Sequence, residues 1–179
     1  GARGCGGGEY PARPWRGDRE AAEAMTAPVP LPSTPGASPL VFITGASSGI
    51  GQALAARFHR AGYRLALVAR RAAEMQAWAE AMGFDPQTFA IYGADVRDVP
   101  GMTAAGSACL AAQGIPDVVI ANAGISVGVD TSLIEDLDVM RATFETNNLG
   151  MAATFQPFVS PMRARRGGTF VGIASVAAI

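Results

Sequence analysis

Short, almost continuously apolar runs alternate with longer segments of helical periodicity from residue 39 onward. Strands that are buried on both faces have this unbroken apolar character. The five candidate strands are residues 39–44, 64–69, 88–93, 117–122 and 168–174. The helical stretches between them cover residues 49–61, 71–82, roughly 98–112, and a region at 133–165 with room for two helices. This alternation predicts an α/β fold, a doubly wound parallel sheet with helices on both faces.

Bulk properties exclude several classes of protein. A chain of 179 residues with 49% hydrophobic content can bury one core of ordinary size. The formal net charge of -1 offers no broad basic surface, so we expect neither nucleic acid nor a membrane as a partner. The longest apolar stretches, such as residues 118–125, fall far short of the ~20 residues that cross a bilayer. Cys5 and Cys109 are far apart in the sequence and suggest neither a disulfide framework nor a zinc site, so we expect a cytoplasmic protein.

The first 38 residues differ from the rest in composition. They are rich in Gly, Arg and Pro and lack apolar periodicity, which predicts a disordered tail. The first methionine, Met25, opens a Pro-rich lead into the first strand. Our hypothesis is that Met25 is the native start and that residues 1–24 lie upstream of it. Residues 39–179 then form the N-terminal part of a single domain.

A glycine-rich turn follows the first predicted strand, in the sequence from Thr44 to Gly51. Gly45 permits a tight exit from the strand, Gly49 lets a ligand approach the backbone, and Gly51 lets the helix pack closely on the sheet. The helix N-terminus offers N–H groups and a positive dipole end to a pyrophosphate. The lack of a Lys-Ser/Thr pair after Gly51 argues against a P-loop. A structural turn without a ligand remains the alternative.

The end of the second predicted strand indicates which dinucleotide is bound. A domain that selects NAD usually has an acid there to hold the ribose hydroxyls, whereas NADP requires a cation for the 2′-phosphate. This chain has Arg70 and Arg71 and no acid, which favours NADP over NAD. The missing acid also argues against S-adenosylmethionine and a methyltransferase. The alternative is that both arginines belong to a solvated helix start.

Taken together, the motifs resemble those of the short-chain dehydrogenase/reductase family over residues 40–179. Five motifs occur in the family's order and spacing: the turn at residues 44–51, Asp95, the segment 122–124, Asn147 with Gly150, and Ser175. The resemblance implies a Rossmann-type sheet and a cofactor site. Its cofactor-binding residues would be Thr44, Gly45, Ser47, Ser48, Gly49, Ile50, Gly51, Arg70, Arg71, Asp95, Val96, Asn122, Ala123 and Gly124.

The resemblance also implies roles in catalysis for two residues. Asn147, whose offset of three from Gly150 matches the family where that of the alternative Asn148 does not, would support a proton relay. Ser175 would hydrogen-bond the oxygen of a carbonyl or alcohol substrate. The family's Tyr-x-x-x-Lys pair has no counterpart in this sequence, which contains no lysine, so we expect an inactive, C-terminally truncated fragment of an NADP(H)-dependent oxidoreductase. Family members usually pair through long helices, which implies a homodimer or homotetramer for the full enzyme. The alternative is an NADP(H)-binding sensor or regulatory module without catalysis.

Overall fold

The five predicted strands form one parallel sheet in the computed structural model, which describes residues 38–174. Every neighbouring pair in this sheet is parallel, and the spatial order is β3-β2-β1-β4-β5. The strands are β1 (Leu40–Thr44), β2 (Arg64–Ala69), β3 (Phe89–Gly93), β4 (Val118–Ala121) and β5 (Thr169–Gly172). The predicted sheet is therefore confirmed. The predicted tail falls outside the described residues except for Ser38.

Helices occupy every connection that the sequence predicted. They are α1 (Gly49–Arg60), α2 (Ala72–Ala81), α3 (Val99–Ala112), α4 (Asp136–Phe144) and α5 (Gly150–Arg165). The region predicted to hold two helices contains α4 and α5, joined by one π-helical turn at Glu145–Leu149. That turn includes both adjacent asparagines, which are poor formers of a regular helix.

Alternate residues of β1 pack against helices on opposite faces of the sheet. Leu40 and Phe42 belong to a cluster with side chains of α3 and α5, whereas Val41 and Ile43 belong to a cluster with side chains of α1 and α2. All four are fully buried. Each such side chain contributes about 1.5–3 kcal/mol through burial. The continuous apolar run in the sequence thus reflects two cores, one on each face of the sheet.

The strand order creates a crevice at the carboxyl end of β1. The strand that follows β1 in sequence lies on one side of it, and β4 lies on the other. Thr44 is in register with Val68 of β2, and Ile43 is in register with Ile120 of β4, so the three strands end at one edge. Open α/β sheets bind ligands where the strand order reverses in this way.

Candidate functional site

The turn between β1 and α1 adopts a backbone conformation that requires glycine at two positions. Gly45 has φ of 65° and Gly49 has φ of 51°, both in the left-handed region. A Cβ on Gly45 would lie 2.7 Å from Cα of Ala123 and 2.9 Å from its backbone nitrogen. A Cβ on Gly49 would meet nothing within 4 Å. Gly45 is thus needed for packing, whereas Gly49 leaves open space beside the backbone.

Hydrogen bonds tie this turn to the segment that follows β4. The buried Thr44 hydroxyl donates to the Ile120 carbonyl at 3.4 Å and accepts the backbone N–H of Asn122 at 3.2 Å. The Asn122 side-chain amide donates to the carbonyls of Thr44 and Gly45, both at 3.1 Å. Gly51 is buried beneath the turn, where a Cβ would collide with the Gly45 carbonyl. Thr44, Gly51 and Asn122 therefore fix the two loops against each other.

A cleft of about 480 Å³ opens at this edge of the sheet, between the turn and the ends of the neighbouring strands. Its volume lies in the range of small-molecule sites. Eleven of the predicted cofactor-binding residues line it: Gly45, Ser47, Ser48, Gly49, Ile50, Arg70, Asp95, Val96, Asn122, Ala123 and Gly124. The start of α1 is part of its wall. Within the described residues, the Ser48 side chain makes no capping hydrogen bond to this helix.

The two arginines at the end of β2 have different surroundings. Arg70 lines the cleft. The Arg71 guanidinium lies 3.0 Å from the Glu74 carboxylate, one turn further along α2, and both side chains are more than 60% exposed. Arg71 is not among the residues that line the cleft. Only one of the two predicted cations thus faces the site.

Asp95, in the loop that follows β3, is hydrogen-bonded by Arg97, two residues further along the chain. Nε of Arg97 donates to both carboxylate oxygens, at 3.1 and 3.2 Å, and Nη2 donates to Oδ2 at 2.7 Å. The Arg97 backbone N–H also donates to Oδ1, at 3.0 Å. These hydrogen bonds lower the pKa of Asp95 to about 2, with smaller contributions from the positive charges of Arg97 and Arg70. The carboxylate is therefore ionised at neutral pH.

Asn147 does not line the cleft but fixes a segment that does. Its Oδ1 accepts the Ile125 backbone N–H, and its Nδ2 donates to the Ile125 carbonyl, both at 2.8 Å. Ile125 and the neighbouring Thr146 both line the cleft. The π-helical turn thus presents an asparagine that holds the chain after β4. Ser175, the other residue predicted to act in catalysis, lies outside the described residues.

Sequence reasoning missed six residues of the cleft wall. They are Val68, Ala69, Ala94, Arg97, Ile125 and Thr146. Four of them adjoin predicted site residues in the sequence and are ordinary apolar or small residues. Arg97 carried a usable signal, because an aspartate commonly accepts the backbone N–H two residues later in an Asx turn. The guanidinium that follows such a turn is then close to the same carboxylate.

A comparison with known protein families identifies the family of this chain. The family model described as short chain dehydrogenase matches residues 39–179. The chain belongs to the short-chain dehydrogenase/reductase family. This membership confirms the resemblance and the predicted fold. Within residues 38–174, no helix is both long enough and apolar enough to span a bilayer.

Individual relatives support the same assignment. Dehydrogenase/reductase SDR family member 7B of Bos taurus is 36% identical over 146 residues, which is 76% of this chain and 44% of the relative. A short-chain dehydrogenase from Streptomyces avermitilis has a TM-score of 0.70 and 30% identity, covering 78% of this chain and 50% of that one. A gluconate 5-dehydrogenase from Burkholderia cenocepacia, in complex with NADP and tartrate, has a TM-score of 0.70 and 27% identity, covering 77% and 54%. This chain spans less than half of the curated relative's length.

Proposed function

We propose that the full-length protein is an NADP(H)-dependent oxidoreductase that moves a hydride between the nicotinamide and a carbonyl or alcohol carbon. Residues 38–174 would supply the cofactor half of its site. The observation that carries the proposal is the cleft itself. It combines a glycine turn, the N-terminus of α1 and the Arg70 side chain at the reversal of strand order.

The residues present fit a dinucleotide phosphate. The space beside Gly49 would admit a pyrophosphate near the N–H groups that begin α1. Arg70 lines the cleft at the end of β2, where the 2′-phosphate of an NADP ribose is usually recognised. The cofactor, when bound, supplies or accepts the hydride. The bound NADP in the gluconate 5-dehydrogenase relative is consistent with this choice.

Other residues would position the cofactor and substrate. Asp95 and Val96 form the wall against which the adenine would lie, and Asn122 keeps the loop after β4 close to the turn. Asn147 holds the Ile125 backbone and would support the proton relay, while Ser175 would hydrogen-bond the substrate oxygen. A cytoplasmic location and a homodimer or homotetramer are part of the same proposal; cell fractionation and light scattering of the purified protein test them.

The preference for NADP is tested by titrating the full-length protein with NADPH and NADH in a calorimeter. Arg70→Ala should weaken NADPH binding about tenfold or more, because it removes charge-assisted hydrogen bonds to the phosphate. NADH binding should change much less. Arg71→Ala should have the smaller effect on NADPH, because that side chain pairs with Glu74.

Arg60→Ala is the matched control, since it removes an exposed cation at the far end of the 12-residue helix α1, about 18 Å from its start. It should leave both affinities unchanged. Equal losses of NADPH and NADH affinity in Arg70→Ala would overturn the phosphate recognition.

Oxidation of NADPH by the full-length protein with a panel of small aldehydes and ketones tests hydride transfer. Tight NADPH binding without turnover on any substrate would favour the sensor alternative.

A further inference from the structure

The cleft places a carboxylate on the same wall as the cation assigned to the phosphate. Asp95 and Arg70 both line it, and the positive charge of Arg70 helps to lower the pKa of Asp95. The two side chains are therefore close enough to interact electrostatically. An unpaired carboxylate there would repel a 2′-phosphate and compete with it for Arg70. A site for a phosphorylated ribose needs that negative charge to be balanced.

Arg97 provides the balance. Its guanidinium and backbone N–H make four hydrogen bonds to the Asp95 carboxylate, at 2.7–3.2 Å. A carboxylate has about four lone-pair positions, so Arg97 occupies most of its accepting capacity. The Asp95 side chain is 26% exposed and that of Arg97 is 46% exposed. The pair is therefore partly open to solvent.

Arg70 is left for another anion by this arrangement. Among residues 38–174, the Asp95 carboxylate forms its salt bridge with Arg97, and no carboxylate lies within salt-bridge distance of Arg70. Glu145, on the π-helical turn, is the second carboxylate that raises the pKa of Arg97. Both arginines line the cleft, but among the described residues only Arg97 is paired with a carboxylate there.

We propose that Arg97 determines the preference for a 2′-phosphorylated cofactor indirectly, by neutralising the Asp95 carboxylate so that Arg70 meets the phosphate without a competing anion. This inference rests on the proposed function. Arg97 is a positioning residue in this scheme. Removing it would leave Asp95 ionised and next to Arg70, which would weaken the attraction for the phosphate but not the contacts common to NADPH and NADH.

The test compares dissociation constants of NADPH and NADH, measured by calorimetry on full-length variants at one ionic strength. Arg97→Ala should lower the preference for NADPH over NADH about fivefold, the size of effect expected for charges near a surface. Arg97→Lys keeps the positive charge and should retain the preference to within about twofold. Arg60→Ala again controls for a lost cation outside the cleft.

A double substitution separates neutralisation from direct contact. Asp95→Asn removes the negative charge while keeping the size and shape of the side chain against which the adenine would lie. In that background, Arg97→Ala should have little further effect on the preference, because no carboxylate remains that could pair with Arg70 in place of the phosphate. If the fivefold loss persisted with Asp95→Asn, Arg97 would attract the phosphate itself, by contact or through space, and the proposal would be wrong.

Two further outcomes would also overturn the proposal. If Arg97→Ala weakened the binding of NADPH and NADH equally, the residue would only shape the surface against which the adenine lies. Thermal unfolding of each unliganded variant checks that it is folded. Loss of the preference in Arg97→Lys as well as in Arg97→Ala would show that charge is not the cause. Failure here is distinguishable from failure of the proposed function, because Arg70→Ala tests phosphate recognition without involving Arg97.

Discussion

The two glycines of the β1–α1 turn should respond differently to alanine. Gly45→Ala incurs the cost of a left-handed backbone, roughly 1–2 kcal/mol. Its Cβ would also lie 2.7 Å from Cα of Ala123, and such overpacking against backbone adds about 1–3 kcal/mol. Gly49→Ala incurs only the backbone cost, because its Cβ meets nothing within 4 Å. The free energy of unfolding should therefore fall by about 2–5 kcal/mol for Gly45→Ala and about 1–2 kcal/mol for Gly49→Ala.

Affinity for the proposed cofactor should show a different order. The methyl group of Gly49→Ala projects from the cleft wall, so it should weaken NADPH binding about tenfold or more by overpacking against the bound ligand. Gly62→Ala is the matched control, because Gly62 has φ of 82°, an open Cβ position, and a place in the α1–β2 connection outside the cleft lining. It should lose about as much stability as Gly49→Ala and keep full affinity.

The assays are urea unfolding for stability and calorimetric titration for NADPH. An unchanged m-value would confirm that each variant alters stability alone. A Gly45→Ala variant as stable as Gly62→Ala would contradict the expected order, since the close approach to Ala123 would then not matter. A Gly49→Ala variant that binds NADPH like the wild type would contradict the expected loss of affinity.

Three further results follow from buried or paired groups. Thr44→Val should lower the free energy of unfolding by about 1–3 kcal/mol, because the N–H groups of Asn122 and Ala123 lose an acceptor, while Thr44→Ser should retain most of it; urea unfolding measures both. The pKa of Asp95 is lowered from 3.8 to about 2, so the wild type should be more stable than Asp95→Asn by a constant free energy of unfolding above about pH 4. That difference should disappear as the pH falls through about 2, and urea unfolding of both proteins at each pH measures it. Burial raises the pKa of the Cys109 thiol to about 12, so this cysteine should resist alkylation at pH 8 until the protein unfolds, as peptide mapping by mass spectrometry would show; rapid labelling of the native protein would contradict it.

The sheet could be predicted because its strands are buried on both faces. An unbroken apolar run such as residues 40–43 is typical of a strand buried on both faces, and its alternate residues do pack into two cores. The glycine turn could also be predicted, because glycines between a strand and a helix indicate a tight backbone turn and close approach of neighbouring chain segments. The π-helical turn was only hinted at, by two adjacent asparagines in a helical region.

The charged residues of the site could not all be placed from the sequence. The residue type alone does not distinguish Arg70 from Arg71. In the structure, the Arg70 side chain lines the cleft, whereas the Arg71 side chain is paired with Glu74. The i,i+3 spacing of Arg71 and Glu74 was a signal that could have told them apart. Arg97 required a tertiary fact, that the loop after β3 turns its guanidinium back onto Asp95 at the cleft wall.

A crystal structure of the full-length protein with NADP would show whether this cleft holds the dinucleotide. We expect the pyrophosphate beside Gly49 at the start of α1, the 2′-phosphate in contact with Arg70, and the adenine against Asp95 and Val96 with the Arg97 pair intact. A dinucleotide bound elsewhere would contradict this expectation. So would a 2′-phosphate that contacts Arg71 while Arg70 points into solvent.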